Sequence, residues 1–318
     1  MSSSGTTTYS ATELDIYTDV LQTLGVIGAV ETPDPNDAVL LRRKMNMLLK
    51  QWVAQADFAP GLKMWTRRRG FLFFVPDQHV YSIGPSGDEC ADEDYASTTT
   101  TVAAATSATT ITVASVSGIA ASSSIGVLLD SGSLHWTTVS GAPSGLVVTL
   151  ATGLPSAAAV GARVFCFAAQ VRNPFDIESA VFRDRDGGDS PIDPNMSLLE
   201  YEAIRVKGAD GTPSGMYFQA GKTAAKVYLN RAPDDMRGVL RFVYTSYIED
   251  ASTLSTSIDI PAEWIRAVST QLVLDCADAF GRAVTPSMGK LRDEALAMAR
   301  NAHPLNSTAS YESAPDDY

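Results

Sequence analysis

Arg67-Arg-Arg-Gly-Phe-Leu-Phe-Phe-Val-Pro-Asp-Gln-His-Val-Tyr-Ser-Ile83 is where the hydrophobic period changes, and that change decides the fold class. Before it, apolar residues recur every three or four positions, the spacing of one helix face. Within it, Phe71–Val75 is a continuous apolar run and Val80–Ile83 alternates. Pro76-Asp-Gln78 lies between them as turn chemistry, so the stretch predicts a β-hairpin. Upstream, Ser10-x-x-Glu13 has the capping-box spacing and precedes the stripe Leu14, Tyr17, Leu21 and Leu24, ending at Gly25/Gly28. A second helix is predicted from Asp34-Pro35, with Ala38, Leu41, Met45, Leu48 and Trp52 on one face.

Downstream, strands are predicted at Ile177–Phe182, Gly215–Gln219, Ala225–Leu229 and Val239–Tyr247. Helices return at the end. Pro261 opens one carrying Trp264, Ile265, Val268, Leu272, Cys276 and Ala279, stopped at Gly281. Thr285-Pro286 opens another, with the stripe Leu291, Ala295, Met298 and Ala302, stopped at His303-Pro304. The order helix, strand, helix gives an α+β class, with N- and C-terminal helices packed with a small antiparallel β core.

One block differs from everything around it. Thr98–Ala168 holds only Asp130 and Arg163 as charged side chains, and is rich in Thr, Ser, Ala, Val and Gly. Short β-favouring runs recur in it at Thr110–Val113, Ile125–Leu129, His135–Val139, Leu146–Leu150 and Ala162–Phe167. Ser117-Gly118, Asp130-Ser-Gly132, Gly141-Ala-Pro143 and Leu154-Pro155 separate them. That pattern predicts an inserted all-β barrel or sandwich rather than a linker, which would not need Trp136, Phe165 or Phe167. The insert is expected to be outward-facing and separable, with its two ends close together. The resulting division is 1–97, N-terminal helices and first hairpin; 98–168, inserted β domain; 169–303, strands and C-terminal helices; 304–318, extended tail.

Among 318 residues, 24 Lys and Arg stand against 36 Asp and Glu, a net charge of −12, which excludes a protein that wraps nucleic acid through a basic surface. No run approaches the length of a membrane span, so no membrane anchor is expected. Met1-Ser-Ser-Ser-Gly-Thr-Thr-Thr lacks the cationic start and apolar run of a signal peptide, and the odd, widely spaced Cys90, Cys166 and Cys276 give no disulfide framework. Folding in a reducing cytoplasm is the expectation.

Candidate chemistry fails on spacing. Gly221-Lys222-Thr223 lacks the earlier glycine of a phosphate loop, since Met216 holds that position, and a strand follows instead of a helix. Gly188-Asp189-Ser190 resembles an esterase nucleophile segment, but His303 has Arg300 where a partnering Asp belongs. His79, His135 and His303 fall in different local structure. Asp88-Glu-Cys-Ala-Asp-Glu-Asp94 and Asp184-Arg-Asp-Gly-Gly-Asp189 lack calcium-loop spacing, and read as a solvated junction and a turn. Arg67-Arg-Arg69 and Arg42-Arg-Lys44 read as solvated faces or subunit contacts before nucleic-acid contacts. No catalytic, cofactor or metal residue is predicted, and the chain is read as not an enzyme.

The order of segments carries more than any motif. Leu24-Gly25 with Asn46-x-x-Leu49-x-x-Trp52 comes first, then Phe71–Asp88 with its Tyr81-Ser-Ile-Gly-Pro-Ser-Gly-Asp88 ending. Val171-Arg-Asn-Pro-Phe-Asp-Ile-Glu-Ser-Ala180, Glu200-Tyr-Glu-Ala-Ile204, Gly211-Thr-Pro213 and Tyr228-Leu-Asn-Arg-Ala-Pro233 follow, and Ile260-Pro-Ala-Glu-Trp264 starts the final helices. Over about residues 10–97 and 170–303 the chain resembles the head-to-tail adaptor family of short-tailed bacteriophages, also called tail accessory factors or connectors. Thr98–Ala168 departs from the simplest members and is similar to small β modules added to phage structural proteins.

The resemblance implies a structural virion protein at the head–tail junction, assembled in the host cytoplasm. It implies a ring, typically of twelve copies, below the portal protein, extending the DNA channel and providing a docking platform for tail hub, nozzle or fibre proteins. DNA would pass through without specific binding. Asn306–Tyr318 is polar and acidic, and its Tyr311 and Tyr318 are the candidate portal contacts, because tyrosine offers large contact area at little conformational-entropy cost. Two other classes compete. A virion-associated cell-wall hydrolase would need a carboxylate pair in a cleft with one raised pKa. A tail fibre or receptor-binding protein would show β structure and repeats through most of its length.

Overall fold

Both ends of the chain contribute to one helical unit, and the middle forms a second unit, Arg67–Ser246. The computed structural model describes residues 9–54, 62, 65–184 and 186–302; the tail 304–318, with Tyr311 and Tyr318, and also His303 lie outside the described residues. The class is α+β.

In the helical unit, α1 (Glu13–Thr23), α2 (Pro35–Ala54) and the last helix all pack on one central helix. That helix is α4 (Ala262–Cys276), and the last is α5 (Pro286–Ala302); α3 (Leu198–Ala203) belongs to the other unit. The α2 stripe Ala38, Leu41, Met45, Leu48 and Trp52 is buried as its spacing predicts, and Trp52 meets Trp264 edge-on at 5.6 Å. Pro261 caps α4, whose Trp264, Val268, Leu272 and Cys276 are buried, while Ala279 falls in a 3-10 turn beyond the helix end.

Two helical details correct the sequence reading. The cap of α1 is Thr12, not Ser10: the Thr12 hydroxyl accepts from the Asp15 amide at 3.2 Å, and the Asp15 carboxylate accepts from the Thr12 amide at 2.9 Å. Glu13 is unavailable for capping because it points inward, accepting from Tyr17 Oη at 3.2 Å and Arg42 Nε at 2.9 Å. The buried stripe therefore turns to Ile16, Tyr17, Val20 and Leu21, and Leu14 is exposed. In α5, Ala295, Leu296 and Ala299 are the buried residues; Leu291, Met298 and Ala302 face solvent. The small alanines allow close approach of α4, and the larger side chains are left outside.

In the β unit every strand ladder is antiparallel. One sheet runs in the order β11 (Asp189–Ile192), β10 (Pro174–Arg183), β14 (Val239–Ser246), β1 (Arg67–Phe73), β3 (Cys90–Asp92). A second has β12 (Met216–Gln219), β13 (Ala225–Leu229) and β2 (Val80–Ile83). The predicted hairpin is thus a corner: β1 pairs with β14 and β3, β2 with β13, and the chain crosses between sheets at Pro76–His79. The corner is held by hydrogen bonds. Tyr81 Oη lies 3.2 Å from the Val75 amide and 3.0 Å from Gln78 O, and the Asp88 carboxylate accepts from the Ser82 amide at 2.7 Å. Leu72 and Phe74 from one sheet and Tyr81 and Ile83 from the other then fill the same core. Gly70 is required here, because a Cβ would run into the ring of Phe242 on the paired strand.

The neutral block forms β4 (Ala96–Thr99), β5 (Thr110–Thr112), β6 (Ser124–Leu128), β7 (Leu134–Thr138), β8 (Val147–Thr149) and β9 (Arg163–Phe167). Its sheet β4-β9-β6-β7 and its pair β5-β8 join through the bridges Thr100–Val113 and Val139–Leu150, which closes a six-stranded barrel. Closure removes free edges from a sequence with almost no charge to protect them. Its interior is Ile111, Val113, Ile125, Val127, Val148, Leu150 and Val164. Phe165, Phe167 and Trp136 do not fill it; with Tyr95 they pack outside the barrel against Phe71 and Phe73 of β1. The ends of the block are adjacent, Ser97 opposite Phe165.

Candidate functional site

The residues singled out for chemistry are dispersed. His79 sits in the corner against Gly208, and His135 lies on β7 with Nε2 3.3 Å from Thr152 Oγ1. Gly221-Lys222-Thr223 is the turn between β12 and β13, and its carbonyls of Gly221 and Lys222 accept from Asn173 Nδ2 at 2.9 and 3.1 Å. Asp189 opens β11 and accepts from Arg183 Nε at 2.8 Å and lies 3.1 Å from Arg241 Nη2, so it is an ion-pair centre beside Ser190 rather than part of a nucleophile turn. Asp184 folds its own turn, accepting from the amides of Asp186 and Gly188 at 2.8 Å each. Among the described residues no group of three or more His, Cys, Asp and Glu is placed to hold a metal, and no helix is long and apolar enough to cross a membrane.

The acidic run Asp88–Asp94 is not the solvated junction its composition suggests. Asp88 braces the corner, Glu89 accepts from Ser124 Oγ at 3.1 Å, and Asp92 accepts from the buried Tyr244 Oη at 2.7 Å and lies 3.4 Å from Arg68 Nη1. Burial pushes the Glu89 carboxyl upward, the Ser124 hydrogen bond opposing it. One of its oxygens thereby ties the barrel strand of Ser124 to the end of the core strand at Cys90. The basic runs divide by face: Arg68 turns to Asp92 and Glu93, Arg67 pairs with Glu178 on the other face, and Arg42 goes to buried Glu13.

Two adjoining concavities lie in the helical unit. A cavity of about 360 Å³ between α1 and α4 is lined by Ile16, Asp19, Ile265, Arg266 and Ser269, with Asp15 at its edge. A second of about 230 Å³ shares Asp19, Arg266 and Ser269 and continues to Val273, Met288 and Leu291. The two meet at a polar centre of Asp19, Arg266 and Ser269. The centre is fixed: Ser269 Oγ donates to the Asp19 carboxylate, the α4 side chain tying down the α1 side chain. The Thr12 hydrogen bonds hold the Asp15 carboxyl below its ordinary range, so the edge is anionic. Arg266 is exposed and makes no ion pair among the described residues. Such a concavity binds by shape, apolar contact and charge.

Sequence reasoning overlooks these concavities. Their signal is the polar pair Asp19 and Ser269 on otherwise apolar helix faces, which only the packing of α1 on α4 brings together.

No protein-family model, curated protein or solved structure matches the chain.

Proposed function

We propose that this chain is a head-to-tail adaptor: a structural virion protein forming a ring of twelve copies below the portal. In that reading it extends the DNA channel, offers the tail hub, nozzle or fibre proteins a docking platform, and is assembled in the host cytoplasm. The observation that carries the reading is the helical unit. Helices from both chain ends converge on α4 and leave two surfaces suited to assembly, the concavities beside α1 and the exposed apolar side chains of α2 and α5. A protein that works by packing against copies and partners needs such surfaces and needs no reaction centre. The ordered segments from Leu24-Gly25 to Ile260–Trp264 support the same reading.

Net charge of −12 suits a wall past which DNA must slide without gripping. Tyr311 and Tyr318 serve in this reading as the portal anchors. Co-sedimentation with the portal protein of the same virion tests it. The chain is expected to pellet with portal rings, and a chain ending at Ala302 to bind markedly less. A chain that stays in the supernatant at every ratio contradicts the reading.

A further inference from the structure

Three strands of the core sheet bring Arg69, Arg241 and Ser179 to one cavity of about 150 Å³, lined also by half-buried Val181 and Val243. The strand register accounts for the convergence. On one face of the sheet, Arg69 of β1, Val243 of β14 and Ser179 of β10 form a row, and Phe71, Arg241 and Val181 form the next. Arg69 and Arg241 are therefore diagonal neighbours across a strand pair, a gap that long side chains span. Arg241 and Ser179 are diagonal in the same way across the adjoining pair.

The carboxylates nearby leave these donors partly free. Arg183 takes Asp189 with Nε and Nη2, at 2.8 and 2.9 Å, whereas Arg241 reaches it with one nitrogen at 3.1 Å. Arg67, one row further along, pairs with Glu178, and Asp176 lies opposite Thr245 in that same row. Glu93 turns to Arg68 on the opposite face. Arg69 is exposed and makes no ion pair among the described residues. Four arginines thus share a face with three carboxylates, a locally positive surface on a chain of net charge −12.

The arrangement of donors selects the anion. A carboxylate is planar and one guanidinium satisfies it, as Arg183 does for Asp189. Donors that reach one point from three strands suit a tetrahedral oxyanion, whose oxygens accept from several directions. The two valines lower the local dielectric, which strengthens charge-assisted hydrogen bonds. The cavity is well below the roughly 300 Å³ at which pockets begin to enclose a drug-sized ligand, so it takes the anionic group alone.

We propose that Arg69, Arg241 and Ser179 form a binding site for one phosphate group. Arg69 supplies an uncompensated charge, Arg241 the donors that Asp189 leaves over, and Ser179 a hydroxyl. The site uses only the core sheet and is independent of the adaptor reading.

Titration of the full ¹⁵N-labelled chain with sodium phosphate at constant ionic strength, followed by backbone amide shifts, tests the site. Saturable shifts are expected at residues 69, 179, 241 and 243, with acetate binding at least tenfold more weakly. Glycerol 3-phosphate distinguishes the two sources of the group: saturation by phosphate alone assigns the free ion, and saturation by both assigns the phosphate of a larger ligand. Arg69→Gln should weaken phosphate about tenfold, the effect of losing one charge-assisted contact, with an unchanged melting temperature because no ion pair is lost. Ser179→Ala should weaken it less. Arg43→Gln removes an exposed arginine from α2, in the other unit, and should leave binding unchanged. Absence of saturable shifts, equal binding of acetate, or full affinity in both Arg69→Gln and Ser179→Ala overturns the proposal. Equal weakening by Arg43→Gln overturns it too, because the response would then follow overall charge.

Discussion

Phe73 of β1 stacks on Phe167 of the barrel, with ring planes 9° apart and centroids 5.8 Å apart. Phe73 also meets Tyr95, Trp136 and Phe165, so one core residue touches four aromatic side chains around the barrel. Phe71 and Phe73 are buried in a cluster that the barrel's Phe165 and Phe167 share. The barrel is closed on itself, yet it also acts as a lid on the core sheet. Replacing 98–168 with a short Gly/Ser linker would uncover both rings, and the product is expected to aggregate. The same deletion carrying Phe71→Thr and Phe73→Thr should be soluble and retain its helical circular dichroism. Equal solubility of the two deletions would show that the aromatic contact is dispensable.

Glu13 is fully buried, and its Oε1 has no hydrogen-bond partner, so its charge is balanced chiefly by Arg42. Removing one partner of such a pair leaves an uncompensated carboxylate. Arg42→Met is expected to destabilise the protein by about 3 kcal/mol in urea unfolding. Adding Glu13→Gln should recover much of the loss. A loss in the double variant equal to that of the single would rule out an uncompensated charge as the cause.

The three thiols should be inert in the folded protein. Burial pushes all three upward; Cys276, beside Asp275, is raised to about 11. A disulfide reagent in mildly alkaline buffer should titrate none of them natively and all three in denaturant. Rapid modification of a native thiol would contradict the described burial.

Acid should weaken the fold through Asp15 and Asp189. The first is held low by Thr12, the second chiefly by its hydrogen bond to Arg183. A carboxyl depressed in the folded state contributes its stability above the ordinary aspartate range and loses it as pH falls through the folded value. Glu89, raised by burial, has the opposite slope. Asp15→Asn should therefore lower urea stability at neutral pH and lose that difference as pH falls below the ordinary aspartate range. A difference that persists unchanged in acid would show that the loss comes from the side-chain swap and not from charge.

The strands and the α2 face were legible in the sequence because period and burial coincide there. Val148 and Val164, on short β-favouring runs, point into the barrel, and Leu41 and Met45 lie on α2's buried side. The hairpin reading fails because Phe71–Val75 and Val80–Ile83 have the right period for two strands, whereas β1 pairs with β3 and with β14, and β2 with β13, the last two more than 140 residues away. Pairing is a long-range property that local spacing does not encode. The outward Leu291 and Met298 were misread for a related reason: an apolar stripe marks a face, and only packing determines whether this chain or another covers it. The concavities beside α1 were illegible because their shared centre is a hydrogen bond between residues 250 positions apart.

Free chains should remain mainly monomeric at low concentration, since a net charge of −12 makes identical copies repel. Sedimentation should show a monomer boundary at moderate salt. A stable dodecamer without portal would contradict assembly that depends on a partner.

The central claim is most directly tested by electron microscopy of the chain with and without the portal of its virion. The account predicts a second ring coaxial with the portal in the mixture, its central opening continuing the portal channel, and no rings in the chain alone. Portal particles unchanged by an excess of the chain would contradict it.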